Sequence, residues 1–282
     1  MTGFFSRLFG SKPAPARKLP VPEAELAEFR AWFAAQTRPA VALVPDEGAP
    51  VAARGSRIGG PAWLAAGEEW PRDAQGAPLD LIAQLDMEEC RSLENYPAEG
   101  VLQFFIGRGD LFGMDMADLR KGSFLVRHVV PGENGQLQPP PPMDLPAGEY
   151  AEDYSPLGED YRANGLPLRA DPFVDRMDGD HFEAEARARP LRERYDASPI
   201  WAIVEDPEFE RRMDHHTGGY PAFTQFDFRY KDTYAGYDHT LLRLTSDTGF
   251  MWGDCGEAVF LMRSEDLARG DFSDVVYHWD CS

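Results

Sequence analysis

Two stretches of this chain read as copies of one another. Residues 100–111 (GVLQFFIGRGDL) align without a gap on residues 256–267 (GEAVFLMRSEDL). Upstream of each copy comes a glycine pair and then an apolar run: Gly59 and Gly60 before residues 81–86 (LIAQLD), Gly218 and Gly219 before residues 240–245 (TLLRLT). Gln84 lies as far past Gly59 as Arg243 lies past Gly218. Such self-similarity points to an internal duplication. The expected organisation is one domain over residues 22–282, made of two β-rich repeats (about 40–130 and 206–282) joined by an irregular insertion, 131–205.

A chain of 282 residues has room for one large domain or two ordinary ones. Its 26 glycines and 24 prolines imply many turns and short elements, which favours strands over long helices. With 48 acidic residues against 28 basic ones the net charge is -20. That charge repels a phosphate backbone and so excludes nucleic acid as a partner. It either keeps the surface soluble or attracts a basic protein.

Cys90, Cys255 and Cys281 are too few and too scattered for a disulfide scaffold and form no CxxC pair for zinc, so they read as reduced thiols in a cytosol. No apolar run approaches the ~20 residues that span a bilayer, and the N-terminus lacks the apolar core of a signal peptide. A cytoplasmic location is expected. Residues 1–18 hold four basic residues and no acidic one, and Phe4, Phe5, Leu8 and Phe9 would share one face of a short helix. Residues 3–9 are thus a candidate for weak peripheral membrane contact; the simpler reading is a flexible tail and Pro-rich linker over residues 1–21.

The spacing of Leu26, Phe29, Trp32 and Phe33 predicts an amphipathic helix from Pro22 to about Gln36, ended by Pro39 and followed by a short strand at 40–44. In the first repeat, strands are expected near 79–86, 100–107 and 123–130, with a short helix at 87–94. Residues 131–180 include four prolines at 139–142 and tyrosines at 150, 154 and 161, and should pack loosely over the surface. A polyproline ligand for an SH3-like module is the alternative for the prolines. Charged helices at about 180–189, stopped by Pro190, and at 207–215 lead into the second repeat. Its strands should fall near 222–230, 239–246, 257–263 and 274–280, with a helical turn at 264–268.

The second repeat also holds the residues that could carry chemistry. His215 and His216 precede a flexible glycine pair and could present imidazoles to a substrate, although no metal-ligand spacing surrounds them. Asp247 and Asp254 flank a turn and could meet across it as an acid–base pair or cation ligands; turn capping is the competing role. Gln84 with Asp86, and Gln225 with Asp227, would each share one face of a strand and line a groove or form a wet sheet face, with Trp252 as a further binding candidate. Cys255 and Cys281 near His278 suggest a Cys–His nucleophile, against the commoner role of small core hydrophobes. No GxSxG, Walker or dinucleotide fingerprint occurs, so no cofactor and no metal is expected.

Several pieces in order, Gly59-Gly60-Pro61, Trp70-Pro71, residues 81–86, 100–105 and 216–221, Gln225, and residues 241–247 and 252–256, resemble the YwqG-like family (DUF1963) of bacterial proteins without an assigned function. The resemblance runs from about residue 40 to the C-terminus, with 131–205 poorly matched. It implies an α+β fold with an internal duplication and antiparallel sheets, to which the predicted short helices would be peripheral. It supplies no catalytic residue, and it associates such proteins with toxin–immunity neighbourhoods. The expected function is a cytosolic binding protein, immunity-like, whose acidic surface and inter-repeat groove engage a basic protein. The alternative is a hydrolase or metal-dependent enzyme at the junction of the repeats, using His215 or His216 with Asp247 and Asp254. No counterparts of His215, His216, Trp252 and Asp254 occur in the first half, so function should lie where the copies differ.

Overall fold

Runs that are apolar on both faces fold as strands covered on both sides. The computed structural model describes residues 18–132, 134–144 and 154–282; the candidate membrane segment 3–9 and Tyr150 lie outside them. The elements are α1 (Glu23–Ala34), β1 (Thr37–Pro45), β2 (Arg57–Ile58), β3 (Ala62–Ala65), β4 (Asp80–Asp86), β5 (Val101–Ile106), β6 (Phe124–Val129), β7 (Gly135–Gln138), α2 (Glu159–Asn164), β8 (Leu166–Arg176), α3 (Phe182–Arg194), α4 (Ser198–Val204), β9 (His216–Gly218), β10 (His239–Thr245), β11 (Glu257–Met262), α5 (Ser264–Arg269) and β12 (Val275–Asp280).

One antiparallel sheet takes ten of the strands in the order β12-β11-β10-β9-β1-β8-β2-β4-β5-β6, while β3 and β7 form a separate ribbon. At its centre β1 pairs with β8 along its whole length, from Thr37↔Arg176 to Pro45↔Leu168. Two arms run outward from this seam with the same pairing pattern. Arg57 of β2 pairs with Gln84 of β4, and His216 of β9 pairs with Arg243 of β10. The β4–β5 register slips between Leu81 and Ala83, and the β10–β11 register slips between Thr240 and Leu242. Each slip is a bulge that bends its arm. The sheet curls into a nearly closed barrel, bringing Phe124 of β6 to 5.5 Å from Tyr277 of β12.

The interior belongs to both arms. Leu102, Phe104 and Ile106 from β5 and Ala258, Phe260 and Met262 from β11 join one buried cluster, in which the Phe104 and Phe260 rings meet edge-on at 5.1 Å. The outer faces have separate covers. Trp70, with Ala62 and Leu64 of the β3–β7 ribbon, packs over Phe105, while Phe228, Tyr234 and Tyr237 pack over Val259 and Leu261. A third cluster joins α1, α3 and α4 through Phe29, Phe33, Ala184 and Ile200.

The region 131–205 departs from the sequence expectation, since it supplies the central strand of the sheet. The β8 sequence holds Pro167 and Pro172 among charged residues and lacks an apolar signature. Each proline is paired on one side only: β2 reaches Leu166 and Pro167 but not Pro172, and the β1 ladder ends at Leu168, short of Pro167. The proline run is not loose either: Arg108 Nη1 donates to Pro142 O at 3.0 Å and Arg108 Nη2 to Pro141 O at 3.2 Å. Helix α3 continues through Pro190 to Arg194, held by burial of Ala184 and Ala188. The expected helix at 207–215 is a single 3-10 turn, Pro207–Phe209, and the expected strand at 222–230 gives way to another, Phe228–Tyr230, capped by Asp227. Residues 87–94 form turns that bury Met87, Cys90 and Leu93 without a helix.

Replacing Phe260, fully buried between the arms, by alanine should cost about 3–5 kcal/mol in guanidinium unfolding. The same change at half-exposed Phe226 should stay within about 0.5 kcal/mol.

Candidate functional site

Successive residues of a strand face opposite sides, so His215 and His216 cannot share a ligand. His215, fixed by Leu43 N donating to its carbonyl at 2.8 Å, turns toward the 247–250 turn. Its Nδ1 accepts from Thr245 N at 3.1 Å, which leaves the proton on Nε2, 3.4 Å from Asp247 Oδ2. Burial pushes the Asp247 carboxyl up, but hydrogen bonds from His215 and from Gly249 N outweigh this and hold it below the usual range. His216 faces the other way and is fully buried, with Nδ1 3.1 Å from Asp214 O and Nε2 3.1 Å from Tyr220 O. Burial and the nearby Arg243 hold its pKa down to about 4. Beside it, Asp175 accepts from Arg211 Nη2 at 2.8 Å and from Tyr220 N at 2.8 Å.

Of the four catalytic candidates, only His215 and Asp247 come together. Asp254 is exposed at the far side of its turn, where its carbonyl accepts from Ser282 N at 3.3 Å. The binding candidates are framework. Gln84 is fully buried, accepts from Arg57 and Gln103 at 3.0 Å each, and donates to Ala53 O and Gly55 O. Asp86 caps the following turn by accepting from Glu88 N, and Asp227 holds Arg229 by two bonds of 2.9 and 2.6 Å. Gln225 is exposed and donates to Cys281 O, while Trp252 is fully buried in the shared core. Gln225 and Asp227 lie outside any strand, so they are no counterpart of Gln84 and Asp86. Cys255 is exposed and Cys281 half-buried; neither is a core hydrophobe.

Sequence reasoning missed the buried arginines at matching register. Arg57 stands where the other arm has His216; burial lowers its pKa to about 10, and it donates to Ala52 O and Pro61 O. Arg243, at the position of Gln84, holds Glu257 by bonds of 2.6 and 2.7 Å. Asp80 accepts from Arg108 and Arg162 on one oxygen. Such pairing is what buried charge requires, and it commits these groups to structure.

Three segments remote in sequence enclose a cavity of about 660 Å³: Phe112, residues 155–159, and residues 248–253. Gly158 N donates to Gly249 O at 2.9 Å and Met251 N to Pro156 O at 2.8 Å, which locks the second segment to the third. Phe112, left-handed at φ 47°, is anchored by Tyr277 Oη donating to its carbonyl at 3.1 Å. The aromatic wall deepens behind the lining: Phe112 lies 4.9 Å from Trp279, and Phe250 lies 5.3 Å from Trp252. Among the described residues Glu159 lines the cavity and no lysine or arginine does, and Asp160, Asp247 and Asp254 adjoin the lining residues in the chain. Aromatic faces beside carboxylates suit a cation on an apolar stem.

Among the described residues no three His, Cys, Asp or Glu side chains gather where they could hold a metal ion. Nor is any described helix long and apolar enough to cross a membrane. The profile of a family described as "Domain of unknown function (DUF1963)" matches residues 56–281. No curated protein matches the chain.

Burial also holds His239, which shares a hydrogen bond with Tyr96 Oη, down to about 4. Unfolded, such histidines take up protons near pH 6.5. Folded, His216 and His239 do so only near 4, so stability is complete above about 6.5 and falls as pH drops toward 4. Urea unfolding should give a lower free energy at pH 5 than at pH 7.5, and the difference should shrink in His239→Asn.

Proposed function

The chain belongs to the family that shares the domain of unknown function DUF1963, and on that footing we propose that it is a binding protein whose cavity between residues 155–159 and 248–253 receives a lysine or arginine side chain of a basic protein partner. The makeup of the cavity supports this: aromatic and aliphatic walls, Glu159 in the lining, and no basic residue there among the described residues. Partly apolar pockets with a few convergent polar groups are where ligands bind. The net charge of -20 would steer a basic partner toward the protein and speed association.

The His215–Asp247 contact is what favours the hydrolytic alternative. A general base needs one ring nitrogen for its orienting carboxylate and the other for the nucleophile. Here the second nitrogen accepts from Thr245 N. Of the hydroxyls beside Asp247 in the chain, Ser246 Oγ is engaged, donating to Gly256 O and accepting from Trp252 N. Binding is therefore the reading better supported.

Within the family, the ordered glycine, tryptophan and strand pieces support a place among the YwqG-like bacterial proteins. A cytoplasmic, immunity-like role extends the proposal, as an acidic protein that captures a basic one. The matching Arg57↔Gln84 and His216↔Arg243 registers, with bulges at equivalent positions, support an origin of the two arms by internal duplication.

Fluorescence anisotropy with a labelled lysine-rich peptide tests the reading against a glutamine-substituted control. The lysine peptide should bind at low salt and weaken as ionic strength rises. Glu159→Gln combined with Asp254→Asn should weaken it about two- to thirtyfold, from the ~0.2–1 kcal/mol that each of two exposed charge pairs contributes. Binding indifferent to salt and to both substitutions would contradict it.

A further inference from the structure

Val276 and His278 stand two residues apart on β12 and so share the outer face of the sheet. Two segments cover that face, and backbone groups tie each of them to β12. Thr224 N and Gln225 N both donate to the Asp280 carboxylate at 2.9 Å, and Tyr277 N donates to Leu119 O at 3.0 Å. Leu119 N donates to Tyr234 Oη at 3.2 Å, which joins the two segments to one another. Between them lies a second cavity, of about 340 Å³, with His278 in its lining. That volume falls within the range of small-molecule sites. None of its lining residues belongs to the cavity assigned to the basic partner.

The walls of this second cavity are aromatic and rich in methionine: Met114, Met116, Phe226, Phe228 and Tyr234. Phe228 and Tyr234 are buried, whereas Phe226 is 51% and Met116 75% exposed, so part of the apolar wall stands open to water. Methionine adapts its shape to a neighbour and makes favourable contacts with flat rings. The charge of the lining runs against that of the whole molecule. The Asp118 carboxylate is held by Arg120 at 2.8 and 3.0 Å and by Lys121 at 3.2 Å, which neutralises it. Lys231 also lines the cavity, with Nζ 5.9 Å from the Tyr230 ring and no carboxylate within ion-pair distance among the described residues. The lining thus keeps an unpaired positive charge beside aromatic surface.

We propose that this second cavity binds a small aromatic carboxylate, with its ring among the methionine and phenylalanine side chains and its charge against Lys231. A cation is disfavoured by the unpaired ammonium. A polyanion is disfavoured by the net charge of -20, which opposes each further negative charge brought to the protein. One carboxylate on a flat apolar body meets both conditions. The site is independent of the basic-partner reading, since it has other walls and the opposite charge preference.

Isotopically labelled methionine methyl groups in the full chain read the two cavities together, because Met114 and Met116 line this one and Met251 lines the other. Titration with naphthoate should shift the Met114 and Met116 signals saturably and leave Met251 in place. Naphthamide, its neutral isostere, should need a higher concentration. Lys231→Gln should abolish that difference, weakening naphthoate up to about fivefold and leaving naphthamide unchanged. Phe226→Ala should weaken both by about fivefold or more without loss of folding stability, since the side chain is half exposed. Met114 and Met116 signals that stay in place would overturn the proposal, as would naphthoate and naphthamide binding alike to the wild-type protein. So would the same signals moving with protein concentration alone, which would assign the cavity to a second copy of the chain.

Discussion

The antiparallel ladder between β1 and β8 joins two arms that could not stand alone. A separate arm would present an unpaired edge strand and an uncovered inner face, both liabilities in water. Pairing at the seam removes one edge from each arm. The curl of the sheet then brings the outer edges, β6 and β12, together at Phe124 and Tyr277. Once closed, the inner face of each arm is the cover of the other, as Phe104 against Phe260 demonstrates. Seam, closure and shared core are thus one cooperative arrangement.

Matching registers do not imply matching chemistry. At equivalent positions one arm places Arg57 and Gln84, the other His216 and Arg243, and each set is held by backbone carbonyls or by its own carboxylate, with Arg57 Nε left without a partner among the described residues. Buried polar groups of this kind specify a unique packing and leave little capacity for a ligand. The candidate site forms elsewhere, where connecting segments from three parts of the chain meet. There the arms have no reason to match, and Glu159 stands in the lining.

Much of the fold was legible. The strands β4, β5, β6, β10, β11 and β12 were readable because their apolar runs stop at glycine, proline or aspartate, and α1 because Phe29 and Phe33 repeat at helical spacing. The central strand β8 was not, since pairing with β1 rather than local preference makes it extended despite two prolines. β9 is only three residues long, too short for any periodicity. Of the four residues that the sequence grouped, His215 or His216 with Asp247 and Asp254, only His215 and Asp247 meet. Phe112 and residues 155–158 were not legible, because hydrogen bonds such as Gly158 to Gly249 join segments that no local pattern connects. Cys255 and Cys281 looked like core residues by composition, whereas the turn geometry puts them at the surface.

On the proposed function, a basic side chain of a partner enters the cavity that Glu159 lines. Amide chemical-shift mapping of the isotopically labelled protein during titration with a lysine-rich peptide checks this. The largest perturbations should fall on Phe112 and on residues 155–159 and 247–254, with α1 and α3 unmoved. Perturbations centred on residues 226–234 or on the helices, with residues 155–159 silent, would contradict it.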